Sequence, residues 1–439
     1  MWVLLCVSNW FWIFFHFTQT MFCLLVIGVV FLCVQGHPWP MQRYDPQRTS
    51  ATSSSLSLSS SKLSLFNVSC GSNVHASVNQ PIPASDSILL MTCTFVYDGF
   101  SATAVTAVAI NGGPLWLRQP SGPNENTNFV TDPVVSRDGL VFVACDDNQM
   151  YALSLTTGRT VWNFTTDDIV YSAAVLGPDN TVCFGSQTLY CVDSRTGVLK
   201  WNLSTIFLGE GQAAFEMTIT DKFIFCFAPG EIAIVSVDGK LIWNFVSSTS
   251  QDGLLSAAVT SNGKFVYVVG VDNSTEQVSS LYVIDVIRQT FTQNRNVPQG
   301  GVGSFLSPLN HSVLVSGANS ISAFRLDGAS IIWTASFNSS SVQDVSISAS
   351  GRIVVAPLVH SNFSISLAVL DAQTGKLVES IQLPGVPAPA ASLMWVSLSA
   401  VTLKDAVGGG VIAFVGVSYM PNNSTFSSGF VVTAQISSF

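Results

Sequence analysis

Nine cysteines, five histidines and a set of turn aspartates are the side chains of this 439-residue sequence best suited to covalent, metal or acid–base chemistry. Cys6, Cys23 and Cys33 fall in an apolar N-terminal stretch, and Cys70, Cys93, Cys145, Cys183, Cys191 and Cys226 follow it. An even number behind a leader suits disulfide formation in an oxidising compartment. Cys183 and Cys191 flank Phe184-Gly185-Ser186-Gln187, which reads as a hairpin turn, so a bridge between adjacent strands is expected there. Cys70 with Cys93 is the second expected pair. The alternative is six buried thiols that pack as small hydrophobes. The sequence has no CxxC and no Cys/His cluster with zinc spacing, so no metal site is expected.

The histidines are His16 in the leader, then His37, His75, His311 and His360. Asn310-His311-Ser312 and Val359-His360-Ser361 read as loop or strand-end positions. G-x-S-x-G, H-E-x-x-H and G-x-x-x-x-G-K are all absent, and Gly408-Gly409-Gly410 reads as a turn before a strand. Asp138, Asp146, Asp147, Asp238 and Asp327 fall at turns, where a carboxylate usually binds local backbone. Asp146-Asp147-Asn148-Gln149 has the composition of a cation loop, but a solvated turn is the favoured reading. No catalytic residue and no cofactor site is expected. N-x-S/T occurs at Asn67, Asn163, Asn202, Asn273, Asn310, Asn338, Asn362, Asn422 and Asn423, which are candidate glycosylation sites. Asn163 and Asn202 each follow a Trp directly. Strand neighbours point to opposite faces, so a buried Trp leaves its Asn outward.

The elements that would hold these residues repeat. Asp147 to Phe164 (DNQMYALSLTTGRTVWNF), Ser186 to Leu203 (SQTLYCVDSRTGVLKWNL) and Gly230 to Phe245 (GEIAIVSVDGKLIWNF) share an order: apolar strand, Gly turn, strand with Trp. The Gly–Trp pairs are Gly158–Trp162, Gly197–Trp201 and Gly239–Trp243. Gly112–Trp116 has the same spacing, and Gly328–Trp333 has one residue more. Gly375 keeps the turn with Glu379 in place of Trp, and Leu281 to Phe291 is the most decayed copy. Trp116, Trp162, Trp201 and Trp243 lie 46, 39 and 42 residues apart, and Trp333 follows after 90, two periods. Such a period with several short strands per unit predicts an all-β fold, a β-propeller of four-stranded antiparallel blades. In the second unit the expected strands are 129–135, 140–145, 150–155 and 160–164, separated by Asp/Asn/Gly turns.

These units resemble the quinoprotein-type, or PQQ-like, repeat, A-x-D-x-x-T-G-x-x-x-W. Ala152, Thr157, Gly158 and Trp162 match it with Ser154 at the Asp position. Asp193, Thr196, Gly197 and Trp201 match with Cys191 at the Ala position, and Asp371, Thr374 and Gly375 match without the Trp. The opening Trp39 to Thr49 is also similar to the start of many such rings. The resemblance implies that Trp116, Trp162, Trp201, Trp243 and Trp333 dock between neighbouring blades and that the Gly permits the tight turn. Seven Gly-turn units and a half-unit, Ala391 to Phe439, make eight blades the expectation and seven the alternative. A strand near 39–49 would complete the last sheet, with the Ser-rich stretch Ser50 to Ser64 as a linker. The division is then 1–36 leader, 37–64 N-terminal strand and linker, and 65–439 propeller.

Quinone-dependent dehydrogenases with this repeat carry a vicinal Cys-Cys disulfide, a carboxylate/amide calcium set and an Asp base; this sequence has no Cys-Cys pair. The non-catalytic branch, with bacterial relatives that assist outer-membrane assembly, is the closer resemblance.

Composition supplies the address. The chain is 48% hydrophobic and 10% charged, against about 25% charged in an ordinary soluble domain. Met1 to Val34 contains no charge, and the segment after Met21 has the length of a secretory h-region ending at Val34 and Gly36. It reads as a signal peptide cleaved before His37 or as a retained anchor, with initiation at Met1 or Met21. A net charge of −9 with no basic run argues against nucleic acid. The expected protein is a secreted, lumenal or surface glycoprotein that binds a protein, peptide or glycan without catalysis. A membrane enters only through the leader. A quinone-dependent oxidoreductase and the lumenal sensor of a stress receptor are the alternatives. Mass spectrometry of the secreted protein is expected to read His37 as its first residue; an intact Met1 would show an anchor instead.

Overall fold

The computed structural model describes Leu5–Val7, Trp10–Trp12 and the residues from 51 onward, apart from connecting segments. The longer segments outside it are 57–62, 67–75, 121–126, 205–215, 247–252, 273–277, 298–302, 307–311, 384–392 and 422–427. Residues 1–39 form one unit, in which Leu5–Val7 pairs antiparallel with Trp10–Trp12. Residues 40–439 form the other, and its described residues contain strands and turns without a helix.

Eight sheets make an eight-bladed propeller. In the first, Ala76–Val78 and Ile82–Pro83 both pair with Ile88–Tyr97, followed by Phe100–Ala109 and Pro114–Arg118. The second holds Val134–Val135, Leu140–Cys145, Gln149–Ser154 and Thr160–Thr165. The third holds Val175–Gly177, Thr181–Gly185, Thr188–Asp193 and Leu199–Ser204, and the fourth Glu216–Ile219, Phe223–Ala228, Glu231–Ser236 and Leu241–Val246. The fifth runs Gly253–Val259, Phe265–Asp272, Val278–Asp285 and Thr290–Asn294, and the sixth Gly303–Leu306, Val313–Ser316, Ser320–Phe324 and Ile331–Ser336. In the seventh, Ser340–Val342 and Ser346–Ile347 precede Ile353–His360, Ile365–Asp371 and Leu377–Gln382. The second blade differs from expectation at its first strand: Phe129 makes only an isolated bridge to Cys145.

The eighth sheet closes the ring. Leu393–Leu398 and Thr402–Ala406 pair with Val411–Pro421, which pairs with Ser428–Ile436. The outer strand is Leu63–Phe66, antiparallel to Ser428–Ile436, with Ala434 opposite Leu63. Ala51–Leu56 adds a parallel strand beside Thr402–Ala406. The stretch expected to be a linker therefore supplies two strands, and 39–49 lies outside the described residues. Ser and Thr can serve here because an outer strand needs backbone pairing more than apolar side chains. Pairing Leu63–Phe66 with Ser428–Ile436 covers a strand edge that would otherwise template association.

Burial explains the layering. Second strands such as LVFVAC and FIFCFA are buried on both faces, because each blade packs against a neighbour on either side. They accordingly read as continuous apolar runs. Fourth strands expose one side, as in TVWNFT, where Trp162 is buried between exposed neighbours.

The contacts between blades repeat. A Cβ on Gly158 would lie 2.7 Å from Trp116, one on Gly197 2.8 Å from Trp162, and one on Gly239 2.8 Å from Trp201. Trp333 packs against Gly375 in the same way. Each glycine has positive φ, +66° to +87°. Two demands thus meet at one residue: a left-handed turn and room for an indole. Gly139 separates them, since its φ is +76° but its nearest neighbour would be Leu155 at 3.9 Å. Gly197→Ala should lower unfolding free energy by about 2–4 kcal/mol, from backbone strain and a displaced Trp162. Gly139→Ala should cost only about 1 kcal/mol. Urea denaturation of both variants checks this; equal losses would remove the indole seat as the cause.

Candidate functional site

The sequence-predicted docking residues come together at four junctions. Each indole N–H donates to a carbonyl in the next blade's turn: Trp116 to Leu155 (2.8 Å), Trp162 to Ser194 (2.9 Å), Trp201 to Val237 and Trp333 to Ala372 (both 3.1 Å). A bulge precedes the Trp position in blades one to four, six and seven, skipping Leu115, Val161, Lys200, Ile242, Ile332 and Val378.

Trp243 departs from this pattern. The next blade has Gln289 (φ +54°) in the left-handed turn position, and the Trp243 indole N–H finds no acceptor among the described residues. Its ring packs on Phe245, 6.1 Å between centroids. Blade five also lacks the bulge. Its Gln293, four residues past Gln289, turns back onto Ser280 and Tyr282 of its own sheet. The link to blade six comes instead from buried Tyr267, whose hydroxyl donates to the Leu326 carbonyl at 3.0 Å. Burial, with Asp327 nearby, pushes that phenol's pKa up, so it stays a donor. A Tyr inside an apolar strand carries no spacing signal, and sequence reasoning missed it.

The carboxylates hold turns. Asp193 accepts from Thr196 Oγ1 (2.9 Å) and from the amides of Arg195 and Thr196; Asp371 accepts from Thr374 Oγ1 (2.6 Å) and its amide. The threonine hydroxyl is the main cause that lowers each aspartate's pKa below 3.8. This is the physical use of the D-x-x-T-G spacing. In the Asp146-Asp147 turn, Asp146 is bound by the Asn128 amide (2.7 Å) and side chain, and Asp147 accepts from Tyr151 at 2.5 Å. Asp138 reaches across blades to Arg195 at 2.6 Å, an exposed pair worth little by itself. His360 bridges two hydroxyls, Ser340 at 2.7 Å and buried Ser366 at 2.8 Å, which caps the seventh blade. Among the described residues no three His, Cys, Asp or Glu side chains gather as a metal set.

Cys183 and Cys191 are directly opposed, buried and disulfide-bonded, with Cα atoms 4.1 Å apart. Cys93 is also disulfide-bonded, and Cys70 lies outside the described residues. Cys145 and Cys226 are buried free thiols whose pKa burial pushes up, which keeps them unreactive. Asn163, Asn202, Asn338 and Asn362 are exposed. Asn67, Asn273, Asn310, Asn422 and Asn423 lie outside the described residues.

The chain matches the PQQ_2 family, described as outer membrane protein assembly factor BamB, over residues 73–202 and 101–335. No curated protein matches the sequence. Among solved structures it is similar to BamB from Moraxella catarrhalis, at 12% identity and TM-score 0.52, covering 84% of this chain and 100% of that one. It is also similar to the computationally designed Ika8 protein, at 14% identity and TM-score 0.55, covering 85% and 99%. Quinohemoprotein alcohol dehydrogenase from Comamonas testosteroni is similar at 14% identity and TM-score 0.60, covering 91% and 81%. At these identities the likeness is one of fold.

The turn aspartates set a pH dependence. Their folded pKa lies below the unfolded value, so their contribution is complete above about pH 4 and lost as pH falls through the folded value. Stability should drop between pH 7 and pH 3, and drop less in Asp193→Asn/Asp371→Asn, as read by urea midpoints. Replacing Cys183 and Cys191 with Ala should cost about 2–3 kcal/mol by releasing a short loop.

Proposed function

Because the chain belongs to the PQQ_2 family of outer membrane protein assembly factor BamB, we propose that its ring is a non-catalytic binding and scaffold module delivered to the secretory pathway. One observation carries this reading. Among the described residues, candidate side chains for chemistry are engaged in holding turns and blades: Asp193 and Asp371 by their threonines, Asp146 by Asn128, and His360 by two serines. What such a ring offers is a rigid display of loops and walls. The family description names an assembly factor, which supports a scaffold reading over an enzymatic one.

The same reading makes the protein a glycoprotein. Exposed Asn163 and Asn202 on the outer strands of blades two and three, with Asn338 and Asn362, are its accessible acceptors. At Asn362 the Ser364 hydroxyl already donates to the amide oxygen at 2.7 Å. A Cys70–Cys93 bridge would complete the disulfides in that compartment.

The dehydrogenase similarity keeps a second reading testable. The secreted protein should carry glycans that a glycosidase removes, and Asn163→Gln/Asn202→Gln should lose two steps of gel mobility. Proximity labelling should capture a protein or glycan partner. Stoichiometric calcium and quinone in the purified protein, with turnover of an alcohol, would overturn the scaffold reading.

A further inference from the structure

Blade eight carries one strand more than the ring needs. Leu393–Leu398 with Thr402–Ala406, then Val411–Pro421, Ser428–Ile436 and Leu63–Phe66, fill the four positions that each other blade fills. Ala51–Leu56 lies beyond that set, on the far edge of Thr402–Ala406. First strands stand around the axis of a propeller, and fourth strands make its outer wall. First strands of successive blades accordingly approach one another: Val175–Gly177 and Glu216–Ile219, Gly253–Val259 and Gly303–Leu306, Ser346–Ile347 and Thr402–Ala406. A strand on the inner side of Thr402–Ala406 therefore stands at the axial channel. Among the described residues, no other blade has a strand at that place.

This added strand is weakly held. It runs parallel to Thr402–Ala406, whereas the other pairings of the sheet are antiparallel. Parallel pairing is slightly less stable per residue. Ala51, Thr52 and Leu56 stand opposite Leu403, Lys404 and Ala406, and the register shifts between Thr52 and Leu56. Ser53, Ser54 and Ser55 fall in the shift and have no registered partner there. Serine is also neither β-branched nor aromatic, the two classes that favour strands. Closure of the ring does not need this strand, because Leu63–Phe66 pairs with Ser428–Ile436 at the outer edge.

The inner edge of blade eight thus accepts an added strand, and the chain's own segment fills it with only partial register. An open strand edge binds an extended peptide through main-chain hydrogen bonds, with side chains adding selectivity. The segment seated on the edge, Ala-Thr-Ser-Ser-Ser-Leu, shows the side chains that the place admits: small and uncharged, most of them hydroxyl-bearing.

We propose that the inner edge of Thr402–Ala406 is a strand-addition site for an extended, Ser/Thr-rich peptide of a partner protein, with Ala51–Leu56 as its intramolecular competitor. The proposal rests on the binding-module reading and names the ligand class of that module. Because residues 57–62 tie the competitor to the sheet, its effective concentration is on the order of a millimolar. A free peptide that binds the open edge with a Kd of about 100 μM is then held off about tenfold.

Fluorescence anisotropy with a labelled peptide of residues 49–58 (TSATSSSLSL) tests this on the secreted full chain. Thr52→Pro/Ser53→Pro removes two adjacent amide donors, one of which faces the ladder whatever its phase. This variant should bind the peptide about tenfold more tightly than the wild type, with unchanged circular dichroism. A chain whose leader is joined directly to Ser57 is the second variant, should the first misfold, and should bind as tightly. A peptide carrying the same two prolines should bind neither variant. In the wild type, amides of Ala51–Leu56 should exchange hydrogen at least about tenfold faster than those of Leu63–Phe66. Equal affinity of the wild type and both variants overturns the proposal, as does absence of binding to all three, or equal protection of the two strands. Calcium and quinone with alcohol turnover would overturn the scaffold reading, whereas loss of the competition in a protein free of both overturns this proposal alone.

Discussion

An indole resting against a glycine α-carbon of the next blade is the contact on which the ring depends. It couples what would otherwise be separate four-stranded sheets, each too small to bury both of its faces. The glycine must serve two masters, a left-handed turn and a close approach, and the indole N–H reports the fit by bonding a carbonyl of the same turn. The bulge accompanies this contact at four junctions but does not depend on it, since blades four and seven keep the bulge before Trp243 and Glu379 without a glycine seat.

Where that contact is missing, other groups take its place. Blade five carries Gln289 and Gln293 at the Gly and Trp positions, and buried Tyr267 supplies the hydrogen bond to blade six. The last junction uses backbone pairing between Leu63–Phe66 and Ser428–Ile436. The ring therefore stands with this contact shown at four of its eight junctions, since closure holds every blade between two neighbours. The same economy governs the polar side chains. Aspartates, threonines and a histidine that could be mistaken for chemistry are bound to turn backbone or to each other, and an unsatisfied alternative would be costly in so apolar a body.

Much of this was legible from residue spacing. Gly158, Gly197 and Gly239 with their tryptophans disclosed both the turn and the period, because a constraint that repeats leaves the same residues at the same interval. The opposed Cys183 and Cys191 were legible because the turn between them sets the register. Tyr267 was not, as one aromatic in an apolar run looks like core until its hydroxyl is seen to reach Leu326.

By itself the sequence determined the repeat and the all-β class, because local turn chemistry and strand pattern act over a few residues; it left eight or seven blades, and the structure shows eight. Only the tertiary structure decided which serine-rich residues pair with Ser428–Ile436, and that Trp243 has no glycine to rest on. Each of these joins residues far apart in the chain, and such pairings depend on the shape of the closed ring, which no local spacing encodes.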